Sequence, residues 1–367
     1  MMAARLLAAL LVLRTCALPG PELAAQHAER RLSRSDRRYW QGTLASAGAP
    51  RNELYVFVHI PKAAGASFLK DSPRHVAAGS RVKGSHEKSV HHAYTAGLLA
   101  KPAARLVLML RHPMRLAYSQ FMMCKYSVRR NRVFPRGDAA NETWGGFETW
   151  ARQFLGLKSP FAFGCYNPVD VQTRYLSTAF GAWAAPLDAL NVSDALTTLR
   201  GAFFVGLADA YQESLCLFRR ATTNGVDAPH CACGARVPGP VLTRERHGLP
   251  AYSIDDLDRP KVQLLARLVP NDLVLYNAAI DRYAADRAAA AAAAAPGALP
   301  CADSVARLKL DLHATLCAAF GKNGSAARGA ADCEFGEVDE GPVAVGHRRY
   351  RRRRRRKKPP AAEDGVT

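Results

Sequence analysis

Several features are scarce in this chain, and each scarcity excludes something. Acidic residues are few, 31 against 51 Lys and Arg, for a formal net charge of +20. A surplus of that sign points to an anionic partner. Ten of the charges, however, belong to one run, Arg348, Arg349, Arg351 to Arg356, Lys357 and Lys358, which leaves +10 on the remainder. The folded part is therefore only moderately basic. Beyond the amino terminus no apolar run approaches the roughly 20 residues that span a bilayer, so a multi-spanning membrane protein is excluded. No glycine-rich loop ends in Gly-Lys-Ser/Thr, which argues against a Walker A nucleotide site. Paired metal-ligand spacings are missing too. The nearest approach is His230 beside Cys231-Ala-Cys233, whose single intervening residue departs from the usual roughly two to four; a disulfide or free thiols suit it better. No internal repeat is visible, and no metal is expected.

What is present is enough for a large core. With 367 residues, 49% hydrophobic and 22% charged, the chain suits one large domain with appendages, and wholesale disorder is excluded. Arg5, the apolar run Leu6 to Leu13, Arg14 and small residues through Ala25 have signal-peptide architecture, cleaved or retained as a short anchor. Three sequons, at Asn141, Asn191 and Asn323, agree with secretory entry. So does the cysteine count: with Cys16 in the leader, eight remain, an even number whose pairing the spacing does not decide.

Residues 1–25 are thus read as signal or anchor, 26–52 as a stalk, 53–287 as the main domain and 288–300 as an Ala/Pro linker that holds the eight alanines Ala288 to Ala295. Residues 301–335 form a cysteine-bearing extension and 336–367 a polybasic tail that self-repulsion keeps extended. Three runs that are apolar on both faces, Leu54 to Val58, Leu106 to Leu110 and Ala202 to Leu207, predict central strands of a parallel sheet. Between and after them, helical periodicity covers Met114 to Lys125, Phe147 to Leu155, Val169 to Ala179, Ser193 to Leu199 with Ser193 as cap, Tyr211 to Thr222, Leu257 to Leu268 and Pro270 to about Ala294. The alternation predicts an α/β doubly wound sheet with helices on both faces.

Two segments carry chemistry. After the first strand comes His59-Ile60-Pro61-Lys62-Ala63-Ala64-Gly65-Ala66-Ser67, a tight turn of small residues into a helix start. Such a turn aims backbone N–H groups at one point and makes an anion cradle, to which Lys62 adds a cation and Ser67 a hydroxyl. After the second strand comes Arg111-His112-Pro113, with Ser119 eight residues after Arg111 on the helix that Pro113 opens. An arginine fork and a helix hydroxyl at the carboxyl edge of a sheet suit a terminal phosphate.

Together these segments resemble the nucleotide site of sulfotransferases, most closely the Golgi carbohydrate enzymes of the heparan sulfate 2-O/6-O type. Pro61 to Ser67 looks like their 5′-phosphosulfate loop, and Arg111 with Ser119 like their 3′-phosphate site. Asn167 to Leu176 and Phe203 to Leu207 are further points of similarity, and the resemblance covers about Leu54 to Tyr283. It implies a P-loop-like sheet, 3′-phosphoadenosine 5′-phosphosulfate as donor, a polysaccharide or glycoprotein glycan as acceptor and residence in the Golgi lumen; no nucleic acid partner is expected, since the signal peptide argues against the nucleus. It further implies a histidine or glutamate base between the two motifs. His75, His86, Glu87, His91 and His92 lie there, and Gly84-Ser85-His86-Glu87 fits best. Gln172 and Arg174 are candidates for contact with donor or acceptor, or else polar positions of their helix. Two departures stand out: Ala63, Ala64 and Ala66 replace residues that in the family include hydroxyls and glycine, and Arg115 falls one position before the usual second arginine. Two other readings remain at this stage, a nucleotide kinase or hydrolase and a non-catalytic secreted protein that binds polyanions through its tail.

Overall fold

The computed structural model describes residues 53–85, 89–126, 145–155, 167–179, 182, 190–225, 231, 249, 251–293 and 303–320. The leader, the stalk, the polybasic tail and the sequons at Asn141 and Asn323 lie outside them.

Four strands form one parallel sheet: β1 (Leu54–Val58), β2 (Arg81–Ser85), β3 (Ala104–Leu110) and β4 (Phe204–Leu207), in the order β2-β1-β3-β4. Register pairs Val58 with Ser85 on one side and with Leu108 on the other, and Leu110 with Leu207 at the far edge. β1, β4 and all of β3 except Arg105 are buried, as their two-sided apolar runs require. β2 was not foreseen. Arg81-Val82-Lys83-Gly84-Ser85 carries one apolar residue because it is an edge strand with a solvent side.

Most of the described chain is helical. The early ones are α1 (Gly65–Asp71), α2 (Val90–Thr95), α3 (Pro113–Tyr126), α4 (Gly145–Leu155), α5 (Val171–Leu176) and α6 (Val192–Gly201). The later ones are α7 (Tyr211–Thr222), α8 (Arg259–Leu268), α9 (Pro270–Ala292) and α10 (Asp303–Phe320). α5 is shorter than the stretch predicted, because Asp170 is left-handed at φ 43° and the chain leaves helix at Ser177. α6 starts before Ser193: the cap is Asn191, whose side chain accepts from Ser193 N–H at 2.9 Å.

α5 and α9 cap each other. The Asp170 carboxylate accepts from the N–H groups of Asn271 and Asp272, and the Asp272 carboxylate from those of Gln172 and Thr173, all between 2.7 and 3.0 Å. Each helix thus supplies the acceptor for the other's orphan donors. α10 packs into the same core through Leu308, Leu312, Leu316 and Phe320, so the cysteine-bearing segment adds to the main body. Cys216 and Cys231 form a disulfide, which rules out Cys231 as a zinc ligand; Cys124 and Cys317 are disulfide-bonded as well.

Candidate functional site

A parallel sheet in the order 2-1-3-4 has its switch point between β1 and β3. The chain leaves β1 toward β2 on one side and β3 toward β4 on the other, so the loops that follow these strands diverge around a crevice at their carboxyl ends. The two chemistry-bearing segments are those loops.

In the first, Lys62 and Ala64 both take left-handed backbone, at φ 71° and 61°, and Ala63 N–H closes the turn on the Ile60 carbonyl at 3.2 Å. Left-handed backbone at two non-glycine residues costs of order 1 kcal/mol each, which the surroundings must hold in place. Part of that hold is Phe68, buried in α1 with its ring 4.6 Å from Phe57 and 5.2 Å from Phe218. Gly65 is required for space: a Cβ there would stand 1.9 Å from Cδ2 of His59. The turn runs into α1, whose first N–H groups have no intrahelical acceptor. Ala63, Ala64 and Ala66 lack hydroxyls, so the polar groups this turn offers are its backbone, Lys62 and Ser67.

The second loop meets the first. Arg111 Nη1 donates to the Lys62 carbonyl at 3.0 Å, which joins the residues after β1 and β3 across the switch point. The Arg111 backbone is itself clamped: its N–H donates to Gln172 Oε1 at 2.9 Å and its carbonyl accepts from Gln172 Nε2 at 3.0 Å. Gln172 is fully buried, as is Arg174, whose Nε, Nη1 and Nη2 donate to the carbonyls of Val169, Ala182 and Asn167. Neither faces a cleft. Ser119 lies on α3 as expected, buried, with Oγ 2.7 Å from the Tyr252 hydroxyl.

Around this edge stands a group the sequence did not single out. Asp209, just after β4, accepts from His112 N–H at 2.8 Å, from the Tyr276 hydroxyl at 3.0 Å and from Arg115 at 3.5 Å. Burial works to raise its pKa, but Arg111, the His112 N–H and Arg115 outweigh burial and hold the carboxyl below its usual range. Arg115 also reaches Asp311 of α10 at 3.2 Å and so braces the residue after β4 against α10. His112 is enclosed, 5.7 Å ring to ring from Tyr276, and neither ring nitrogen has a hydrogen-bond partner among the described residues. Burial, the dominant cause, pushes its pKa down to about 4. Asp209 had one legible signal, a carboxylate immediately after a buried strand; Tyr252 and Tyr276 had none.

Of the base candidates, His86 and Glu87 lie outside the described residues, directly after Ser85 at the end of β2. His91 and His92 are in α2, His91 Nδ1 at 2.7 Å from the Thr178 carbonyl and His92 Nδ1 at 2.9 Å from Ser89 Oγ. His75 sits in the turn before β2, at the amino end of the strands, where its carbonyl accepts from Thr222. That is the opposite edge of the sheet from Lys62.

The Lys62 turn and Arg111 at the start of α3 thus stand together at the carboxyl edge of the sheet. No group of three or more candidate metal ligands occurs among the described residues. No protein-family model, curated protein or solved structure matches the chain.

Proposed function

We propose that this chain is a sulfotransferase that moves a sulfonyl group from 3′-phosphoadenosine 5′-phosphosulfate to a hydroxyl of a polysaccharide or glycoprotein glycan. In this reading the four-stranded sheet is the centre of a doubly wound, P-loop-like domain. The observation that carries it is the contact of Arg111 with the Lys62 turn at the β1/β3 switch point. Two stretches about fifty residues apart converge where open parallel sheets bind nucleotides, and each brings a cation. Pro61 to Ser67 would take the 5′-phosphosulfate, and Arg111 with Ser119 the 3′-phosphate.

In the transfer, an acceptor oxygen attacks sulfur in line, the bond from sulfur to the 5′-phosphate oxygen breaks, and the acceptor proton passes to a base. Lys62 stabilises the charge that develops on the leaving phosphate. The base is a histidine, with His86 preferred; a neutral imidazole of pKa about 6.5 suits the task. The Cys216–Cys231 disulfide supports an oxidising compartment, in line with a Golgi lumen address and membrane attachment, if any, through the amino terminus.

The test is transfer of labelled sulfate with K62A and R111A, each expected to lose at least about a hundredfold in turnover, as removal of one charge-stabilising donor does elsewhere. Calorimetry with 3′-phosphoadenosine 5′-phosphate against ATP–Mg²⁺ gives the second arm. Retained turnover in both variants, or preference for ATP–Mg²⁺, removes the proposal. Deletion of Arg348 to Lys358 leaves turnover intact under this reading and abolishes function if the chain is a polyanion binder.

A further inference from the structure

Arg111 stands one residue beyond the end of β3, where the ladder to β4 has stopped at the pair Leu110–Leu207. Its peptide groups therefore have no strand partner, and the Gln172 carboxamide takes that place, one donor and one acceptor back to back. Only a carboxamide of this length can do both: glutamate cannot donate to the Arg111 carbonyl, and asparagine is a methylene too short. Gln172 is in turn fixed from below. The Asp272 carboxylate holds the N–H groups of Gln172 and Thr173 and the Thr173 hydroxyl at 3.0, 2.7 and 2.8 Å. Asp272 belongs to α9, anchored in the core by Leu275, Tyr276 and Ile280. The backbone of Arg111 is thus referenced to the core through two buried links, while its side chain is referenced to the Lys62 turn.

We infer that Gln172 is the positioning residue that aims the Arg111 guanidinium at the terminal phosphate of the ligand, with Asp272 and Thr173 holding α5 beneath it. Gln172 itself touches no ligand. The inference rests on the donor site proposed above, and its content is a division of labour: Lys62 and its turn are set by β1 and α1, and Arg111 by α5 and α9. Loss of the clamp then harms recognition of one phosphate and spares the other, since displacement by about 1 Å is enough to cost an oriented contact on the order of a hundredfold.

The experiment is calorimetry on the full chain with two probes, 3′-phosphoadenosine 5′-phosphate and adenosine 5′-monophosphate, which lacks the 3′-phosphate. The readout is the ratio of the two affinities. R111A is expected to cut the ratio at least tenfold. Q172L should cut it about as much with its affinity for the monophosphate kept, and R111A/Q172L should lose nothing more than R111A alone. Q172E, similar in size and polarity, covers the case in which Q172L does not fold and should move the ratio in the same direction by about threefold or more. A loss that falls equally on both probes would mean a merely structural residue and overturns the inference. An unchanged ratio in Q172L or Q172E overturns it as well, and leaves the donor site standing if R111A collapses the ratio. Wild-type protein that binds neither probe, or an R111A ratio equal to wild type, removes the donor site itself and the inference with it.

Discussion

Arg111 and Arg174 show two uses of the same side chain. Arg174 lies within the bed of α5, fully buried, with each guanidinium nitrogen on a backbone carbonyl at 2.6 to 2.8 Å. Burial lowers its pKa to about 10 against the pull of Asp272 and Asp170, so it stays charged at neutral pH. Arg111 lies at the switch point, half-buried, with Nη1 on the Lys62 carbonyl. A guanidinium has five donors, so one spread over three carbonyls is fastened in place, whereas one anchored through a single nitrogen keeps donors for something else. The difference teaches that a charged residue near a sheet edge is informative about ligands only once its hydrogen bonds are counted.

The largest expected effects separate the two. R174M leaves the carbonyls of Asn167, Val169 and Ala182 unpaired and removes the charge beside Asp170 and Asp272, whose pKa values burial already pushes up. Removal of one buried charged partner costs about 3–5 kcal/mol. Denaturant midpoints should show it, and whatever folded protein remains should still bind 3′-phosphoadenosine 5′-phosphate. R111A should shift the midpoint by less than about 1 kcal/mol and lose the ligand. Near-native stability in R174M would break the comparison.

His112, next to Arg111, is buried like Arg174, but its ring is neutral and neither ring nitrogen has a hydrogen-bond partner among the described residues. Its pKa falls from 6.5 to about 4 through burial. The unfolded chain therefore binds more protons than the folded one between those values, and stability that is complete above about pH 6.5 is lost as pH falls toward 4. The full loss is about 3 kcal/mol. Asp170 and Asp272 act in the opposite sense, since raised carboxyls weaken the fold as pH rises through their folded values. The difference between wild type and H112L isolates the histidine: H112L should be the more acid-resistant of the two, with midpoints that converge at pH 8 once the ring is neutral in both states. Parallel pH curves would show that the ring is solvated.

Gly65 sharpens the contrast from the side of the Lys62 turn. With a Cβ due at 1.9 Å from the His59 ring, G65A must displace that ring or the turn, at a cost of about 1–3 kcal/mol. Affinity for adenosine 5′-monophosphate should fall, because the 5′-phosphate turn is what moves. That is the reverse of the pattern expected for Q172L.

The sheet was legible where burial writes a two-sided apolar run: β1, β3 and β4 were readable to within a few residues, because nothing but core can satisfy Tyr55-Val56-Phe57-Val58 or Val107-Leu108-Met109-Leu110. β2 was not, since an edge strand such as Arg81 to Ser85 pays no penalty for polar residues on its open side. Lys62 and Arg111 were legible as residues just past two buried strands, and Arg111 Nη1 reaches the Lys62 backbone carbonyl. Gln172 stays open in the sequence between ligand contact and a polar position of its helix, because a sequence gives a residue's chemistry and not the direction of its hydrogen bonds. Asp209 had only its place after β4 to mark it, and Tyr252 reaches the edge from a distant segment, where only the tertiary fold places it.

The smallest expected effect tests whether stability and recognition are separable at this edge at all. α6 precedes β4 and runs down to its amino end, so Asn191 caps α6 on the carboxyl side of the sheet, yet the cap itself is local, Oδ1 accepting from Ser193 N–H at 2.9 Å. N191A removes that acceptor and should cost about 1 kcal/mol, while N191D keeps the cap and should cost little. Both lose the sequon, so their difference reports the cap and not a glycan. In both, the affinity ratio for the two adenosine probes should equal that of wild type. If N191A lowers the ratio as Q172L does, any loosening of the carboxyl edge disturbs Arg111, and the clamp from α5 has no special part in aiming it.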